Sequence, residues 1–156
     1  MTSSPSLTKP AALSTLDKTR IDDTRIKTVR PLLTPALLEE WLPATEQALA
    51  LVESSRRAIS RVLPGQVDRL VVVVGPCSIH DHDQAMEYAR QLKAQADALK
   101  EDLLIVMRVY FEKPRTTVGW KGYINDPYRD GSFNVNEGLK LARQLLREVL
   151  ELGLPT

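Results

Sequence analysis

The sequence predicts an α/β protein: an amino-terminal helical extension followed by two βα units whose strands pair in parallel. Three observations carry this expectation. Two short, mostly apolar runs, residues 70–74 and 103–109 (the second holding Arg108), are too brief for helices, and the first is β-branched in its last four positions. After a loop, each run is followed by a stretch with apolar residues at helical spacing. A continuous apolar strand is the kind buried on both faces, as in a parallel sheet covered by helices, and two successive βα units require a parallel pair with a right-handed crossover.

Taken in order, residues 1–20 are rich in Ser, Thr and Pro with no periodicity and read as a mobile tail. Residues 21–34 alternate apolar and polar through Ile26 and Val29 up to Pro31, a short edge strand or an extended arm. Pro35 suits a first helical turn and Leu37, Leu38 and Trp41 follow it. After Pro43 a second helical run continues to about residue 63, with Ala48, Leu51, Val52, Ser55, Ile59 and Val62 on one stripe, and Pro64-Gly65 stops it. Residues 81–100 form the next helix, opened by Asp81 and Gln84 at capping-box spacing and turning Ala85, Tyr88, Ala89, Leu92 and Leu99 to one face. Asn134 caps the last helix with Glu137 at its third position, and Leu139, Ala142, Leu145, Leu146 and Val149 face inward. Gly153 stands at the position after the cap, ahead of Pro155. The organisation is therefore a tail (1–20), an arm with helical extension (21–67) and two βα units (68–156).

Composition excludes several classes. With 43% hydrophobic and 26% charged residues the chain can bury a core, and a net charge of +1 gives no basic stripe for nucleic acid. No apolar run nears the ~18 residues that span a bilayer, and residues 1–20 contain no apolar signal-peptide core. The single cysteine, Cys77, cannot form an internal disulfide, so the cytoplasm is the expected compartment.

Chemistry concentrates in two loops at the carboxyl ends of the strands, where functional residues of parallel sheets collect. The longer loop carries Arg108, Lys113, Arg115 and Lys121 against the single acid Glu112, a local charge of +3. Arg115 offers a planar fork of donors, Thr116 and Thr117 offer hydroxyls, and Gly119 and Gly122 shape the backbone, a combination suited to a phosphorylated or carboxylated small molecule. A merely solvated basic loop needs neither the glycines nor the buried strand leading in. In the shorter loop, Cys77 follows Gly75-Pro76. A lone cysteine is commonly a small buried hydrophobe, but one beside a cationic loop can bind a divalent transition metal. His80 gives a Cys-x2-His spacing, an incomplete ligand set for zinc.

The segments GPCSIHD (75–81) and MRVYFEKPRTTVGWKGYINDP (107–127) resemble the type I 3-deoxy-D-arabino-heptulosonate 7-phosphate (DAHP) synthases, and the similarity runs from about residue 22 to residue 156. That resemblance implies a (β/α)8 barrel that condenses phosphoenolpyruvate with erythrose 4-phosphate, using a divalent metal of the Mn, Fe, Co or Zn class and releasing phosphate. It implies that Cys77 is a metal ligand, that Arg108 binds the phosphoenolpyruvate carboxylate and that Lys113 lies at the reaction centre. Arg115 and Thr116 would hold the erythrose 4-phosphate phosphate group, with Lys121 contributing. Asp22, Asp23 and Ile26 resemble the arm that in regulated members reaches a neighbouring subunit of a homo-oligomer and helps form an aromatic amino acid site. The same arm is equally read as a polar segment docking for stability.

A barrel of this kind takes ~200 residues at least, so residues 68–156 have room for two of its eight βα units. The family's remaining metal ligands come from later strands and have no counterpart here. The expectation is an amino-terminal portion of a synthase, inactive alone, whose unpaired strand edges are long and hydrophobic. Two other classes fit the same residues: a non-catalytic partner chain of a complete synthase, and a small phosphate-binding module built on the KPRT loop.

Overall fold

Thr34 and Thr45 open the first two helices in the same way. Each has extended backbone and a hydroxyl that accepts from the amide three residues on, Leu37 N at 3.4 Å and Ala48 N at 3.3 Å. In this computed structural model, which describes residues 25, 26, 28–113 and 118–156, these helices are α1 (Pro35–Trp41) and α2 (Glu46–Val62). They are followed by β1 (Leu70–Val74), α3 (His82–Ala98), β2 (Leu103–Met107) and α4 (Val135–Glu151).

The chain divides into two compact units after Pro31. In the first, residues 28–31 have no regular structure, so the edge-strand reading of this stretch gives way to irregular backbone. The predicted tail lies outside the described residues. All the elements belong to the second unit, Leu32–Thr156.

β1 and β2 pair in parallel, with Leu70 opposite Leu103 and Val74 opposite Met107. β2 ends at Met107, two residues before the sequence-based bound. The core lies between β2, α3, α4 and the loop after β2: Met107, Leu145, Val149 and Leu154 are fully buried, with Ala89 and Ile79 beside them. α4 turns Ala142, Leu145 and Val149 inward as its periodicity demands and ends in a paired-bond cap. Gly153 N donates to Leu150 O and Leu154 N to Val149 O, with Gly153 at φ +81°. The chain then returns to β2, where Pro155 O accepts from Met107 N at 2.7 Å. The helical extension is tied to α4 by Gln47 Nε2 on Glu151 O (2.9 Å), Arg143 Nε on Leu42 O (2.7 Å) and Lys140 Nζ over the Trp41 ring (5.5 Å).

Three expectations are corrected. β1 is not buried on both faces: Leu70 and Val73 are 64% and 63% exposed, because β1 has one partner strand and the core is assembled on β2. Leu99 is exposed and Met86 is buried in its stead, since α3 ends at Ala98 and Leu99 is already its cap. Asn134 occupies the cap position of α4 but its side chain makes no capping bond.

Candidate functional site

The site begins with a close approach of two backbones. Arg108 N donates to Val74 O at 2.9 Å, and a Cβ on Gly75 would collide with Arg108 O, so only glycine lets the chain leave β1 here. One turn further, Ile79 N donates to Tyr110 O at 2.8 Å. The loop after β1 is thereby pinned along the continuation of β2, which brings Cys77 beside the cationic segment.

Arg108 and Lys113 both reach this loop. Arg108 Nη1 donates to Pro76 O at 2.7 Å and to Cys77 O at 3.0 Å, and its Cζ lies 4.4 Å from the centre of the Tyr110 ring. Lys113 Nζ lies 3.3 Å from Cys77 Sγ, and the cysteine is exposed. Cys77 and the cations Arg108 and Lys113, more than thirty positions apart in sequence, thus meet at the carboxyl ends of the two strands.

The cationic loop is closed at its base as a short antiparallel pairing. Glu112 bridges Gly122, Lys113 N donates to Lys121 O (3.0 Å) and Tyr123 N to Phe111 O (2.6 Å). Gly122 sits at φ +136° with no room for a Cβ against Phe111 O. The Phe111 and Tyr123 rings stack with centroids 6.1 Å apart, and Trp120 Nε1 donates to Asp126 O at 2.7 Å. Burial, with the carboxylates of Asp81, Asp83 and Glu148 and the Tyr128 hydroxyl nearby, pushes the Tyr123 hydroxyl above its ordinary value of 10.0.

Of the residues expected from sequence, the structure brings Cys77, Arg108 and Lys113 together, with the Lys121 main chain on Lys113. Arg115, Thr116, Asp22 and Asp23 lie outside the described residues, and Ile26 belongs to the first unit, on irregular backbone. Sequence reasoning missed Tyr110, although its place two residues after Arg108 on an extended segment puts both side chains on one face. It also missed that His82 links helices, with Nε2 2.7 Å from Glu148 Oε2 and Nδ1 3.3 Å from Asp83 Oδ1. No local signal marks a partner 66 positions away.

Among the described residues no three His, Cys, Asp or Glu side chains converge as a metal-binding group. Cys77 has an ammonium as its neighbour, and with no third such side chain converging on it among the described residues the loop does not by itself fit a catalytic divalent cation.

Residues 42–154 match the model of the DAHP synthetase I family. The chain is 58% identical over 134 residues to the Phe-sensitive phospho-2-dehydro-3-deoxyheptonate aldolase of Escherichia coli K12, covering 86% of this chain and 38% of that protein. It is 50% identical over 140 residues to the Tyr-sensitive enzyme of the same strain, covering 90% of this chain and 39% of the relative. It is 48% identical over 141 residues to the tyrosine-inhibited enzyme of Schizosaccharomyces pombe, covering 90% and 38%. A solved phospho-2-dehydro-3-deoxyheptonate aldolase from Francisella tularensis SCHU S4 superposes with a TM-score of 0.78 at 50% identity, over 83% of this chain and 38% of that one. The chain thus spans well under half the length of the relatives it matches. With a model match across nearly all of residues 42–156 and identities near one half throughout, this chain belongs to the DAHP synthetase I family.

Proposed function

We propose that this chain supplies the first two βα units of a (β/α)8 barrel, and that the enzyme built on it condenses phosphoenolpyruvate with erythrose 4-phosphate and water to give DAHP and phosphate, the first step of the shikimate pathway. The observation that carries this reading is the meeting of the two loops: Lys113 Nζ on Cys77 Sγ at 3.3 Å, with Arg108 on the carbonyls of Pro76 and Cys77. Two anionic substrates held side by side need such a concentration of fixed cations, which orients them and offsets their mutual repulsion. The return of the chain to β2 at Pro155 supports the barrel, because a third parallel strand takes that edge.

In this reading Arg108 holds the phosphoenolpyruvate carboxylate, Lys113 stands at the reacting atoms, and Arg115 and Thr116, with Lys121, hold the erythrose 4-phosphate phosphate group. Cys77 supplies one ligand to a divalent metal ion. An aromatic amino acid is the effector, in keeping with the Phe-sensitive and Tyr-sensitive relatives. Asp22, Asp23 and Ile26 of the arm (21–67, after a tail of 1–20) reach its site in a cytoplasmic homo-oligomer. No helix among the described residues is long and apolar enough to cross a membrane.

Kinetics on the full-length enzyme test the assignment. Lys113→Ala is expected to lower kcat by about 100-fold or more, the scale for losing one preorganised charge donor at a reacting centre. The isolated 156-residue chain is expected to form no DAHP from both substrates with manganese. An unchanged kcat in the variant overturns the assignment of Lys113, and turnover by the isolated chain overturns the expectation that these residues are inactive alone.

A further inference from the structure

Arg108 is held on several sides, and the way it is held leaves only part of it for a ligand. Its Nη1 carries two hydrogens, and both are engaged, by Pro76 O at 2.7 Å and Cys77 O at 3.0 Å. One face of the guanidinium is covered by the Tyr110 ring, 4.4 Å from Cζ. Among the described residues, Nε and Nη2 make no hydrogen bond. Tyr110 is itself fixed, because its carbonyl accepts from Ile79 N at 2.8 Å and ties this stretch of main chain to the loop after β1.

We propose that Tyr110 is a positioning residue for Arg108: its ring and the two loop carbonyls lock the guanidinium plane so that the Nε–Nη2 edge alone faces the ligand, as a side-on fork for a carboxylate. The chemistry follows from the shape of arginine. Nε–H and one Nη2–H are parallel donors spaced to match two carboxylate oxygens, whereas an arginine free to rotate must lose that freedom on binding. An aromatic face beneath a cation attracts it through the ring quadrupole and does so without competing for the in-plane hydrogens. Tyr110 therefore orients the donors while leaving all of the free ones available.

The inference rests on the reading of Arg108 as the carboxylate ligand of phosphoenolpyruvate, and the test separates the two. In the full-length enzyme, Tyr110→Leu is expected to raise the KM for phosphoenolpyruvate about three- to tenfold, the range for a lost cation–π contact. The KM for erythrose 4-phosphate should stay within about twofold by the same measure, with a smaller change in kcat, and Tyr110→Phe should restore most of the loss. In an Arg108→Lys background, which already lacks the fork, Tyr110→Leu should add little. A series of progressively fluorinated phenylalanines at position 110 keeps the ring's shape and drains its face, so the KM for phosphoenolpyruvate should climb with fluorine number even if the leucine variant folds poorly. A flat fluorine series, with Arg108→Lys still raising that KM, overturns the role of Tyr110 and leaves the functional reading standing. A KM unmoved by Arg108→Lys overturns the carboxylate assignment, and the proposal with it.

Discussion

Gly138 sits inside α4, where glycine costs about 1 kcal/mol relative to alanine, and the structure supplies the reason for keeping it. A Cβ there would collide with the carbonyl of Ile124, so the start of α4 lies directly against the loop that closes the cationic segment. Gly138→Ala is expected to destabilise the fold by about 1–3 kcal/mol despite its better helix propensity, because the backbone contact must open. Urea unfolding measures this, and a neutral or stabilising result would mean that the two segments are not in contact. Gly75 and Gly122 do the same for the two loops of the site, each facing a backbone carbonyl. In sequence Gly75 and Gly122 are visible as punctuation and Gly138 is unmarked within a helical run; which backbone each lets approach is not legible, because no local preference encodes the partner.

Helix starts differ in a way that sequence alone does not rank. Thr34, Thr45 and Asp81 precede their helices with ψ of 150°, 156° and 131°, and each side chain accepts from the amide three residues on. Asn134 has ψ 71°, follows Phe133 at φ +49°, and its side chain makes no such bond. Asp81→Ala is therefore expected to cost about 1 kcal/mol in stability, and Asn134→Ala less than about half of that. Equal losses, or the reverse order, would refute the distinction. The Asp81 cap was legible from its spacing to Gln84. Asn134 had the right residue at the right place, and the tight preceding turn rather than any local preference withholds its side chain.

For the whole molecule, the two-stranded sheet decides behaviour. Leu70 and Val74 on one face of β1 and Val73 on the other are exposed, flanking an edge with no strand on it among the described residues. Such an edge is a template for pairing with another chain. The isolated 156 residues are expected to self-associate, and Leu70→Lys with Val73→Glu should shift sedimentation toward monomer without loss of helix by circular dichroism. A monomeric parent chain at high concentration would contradict this. In a larger α/β assembly both faces of this strand become interior, which is why the sequence reads as a buried strand and the structure does not.

Periodicity and punctuation were enough to place four helices and two strands, since each depends on spacing within about twenty residues and on caps such as Pro35, Asp81 and Gly153. Charge and composition singled out the two loops after the strands, which the structure brings together because parallel strands direct their carboxyl ends to one side. Only the tertiary structure decided that Lys113 meets Cys77 and that Arg108 is clasped by Pro76, Cys77 and Tyr110. It also decided that β1 stands exposed while β2 carries the core. The physical reason is separation along the chain: the 36 positions that separate Cys77 from Lys113 are spanned by strand pairing, and no local preference encodes which side chains a pairing register brings into contact.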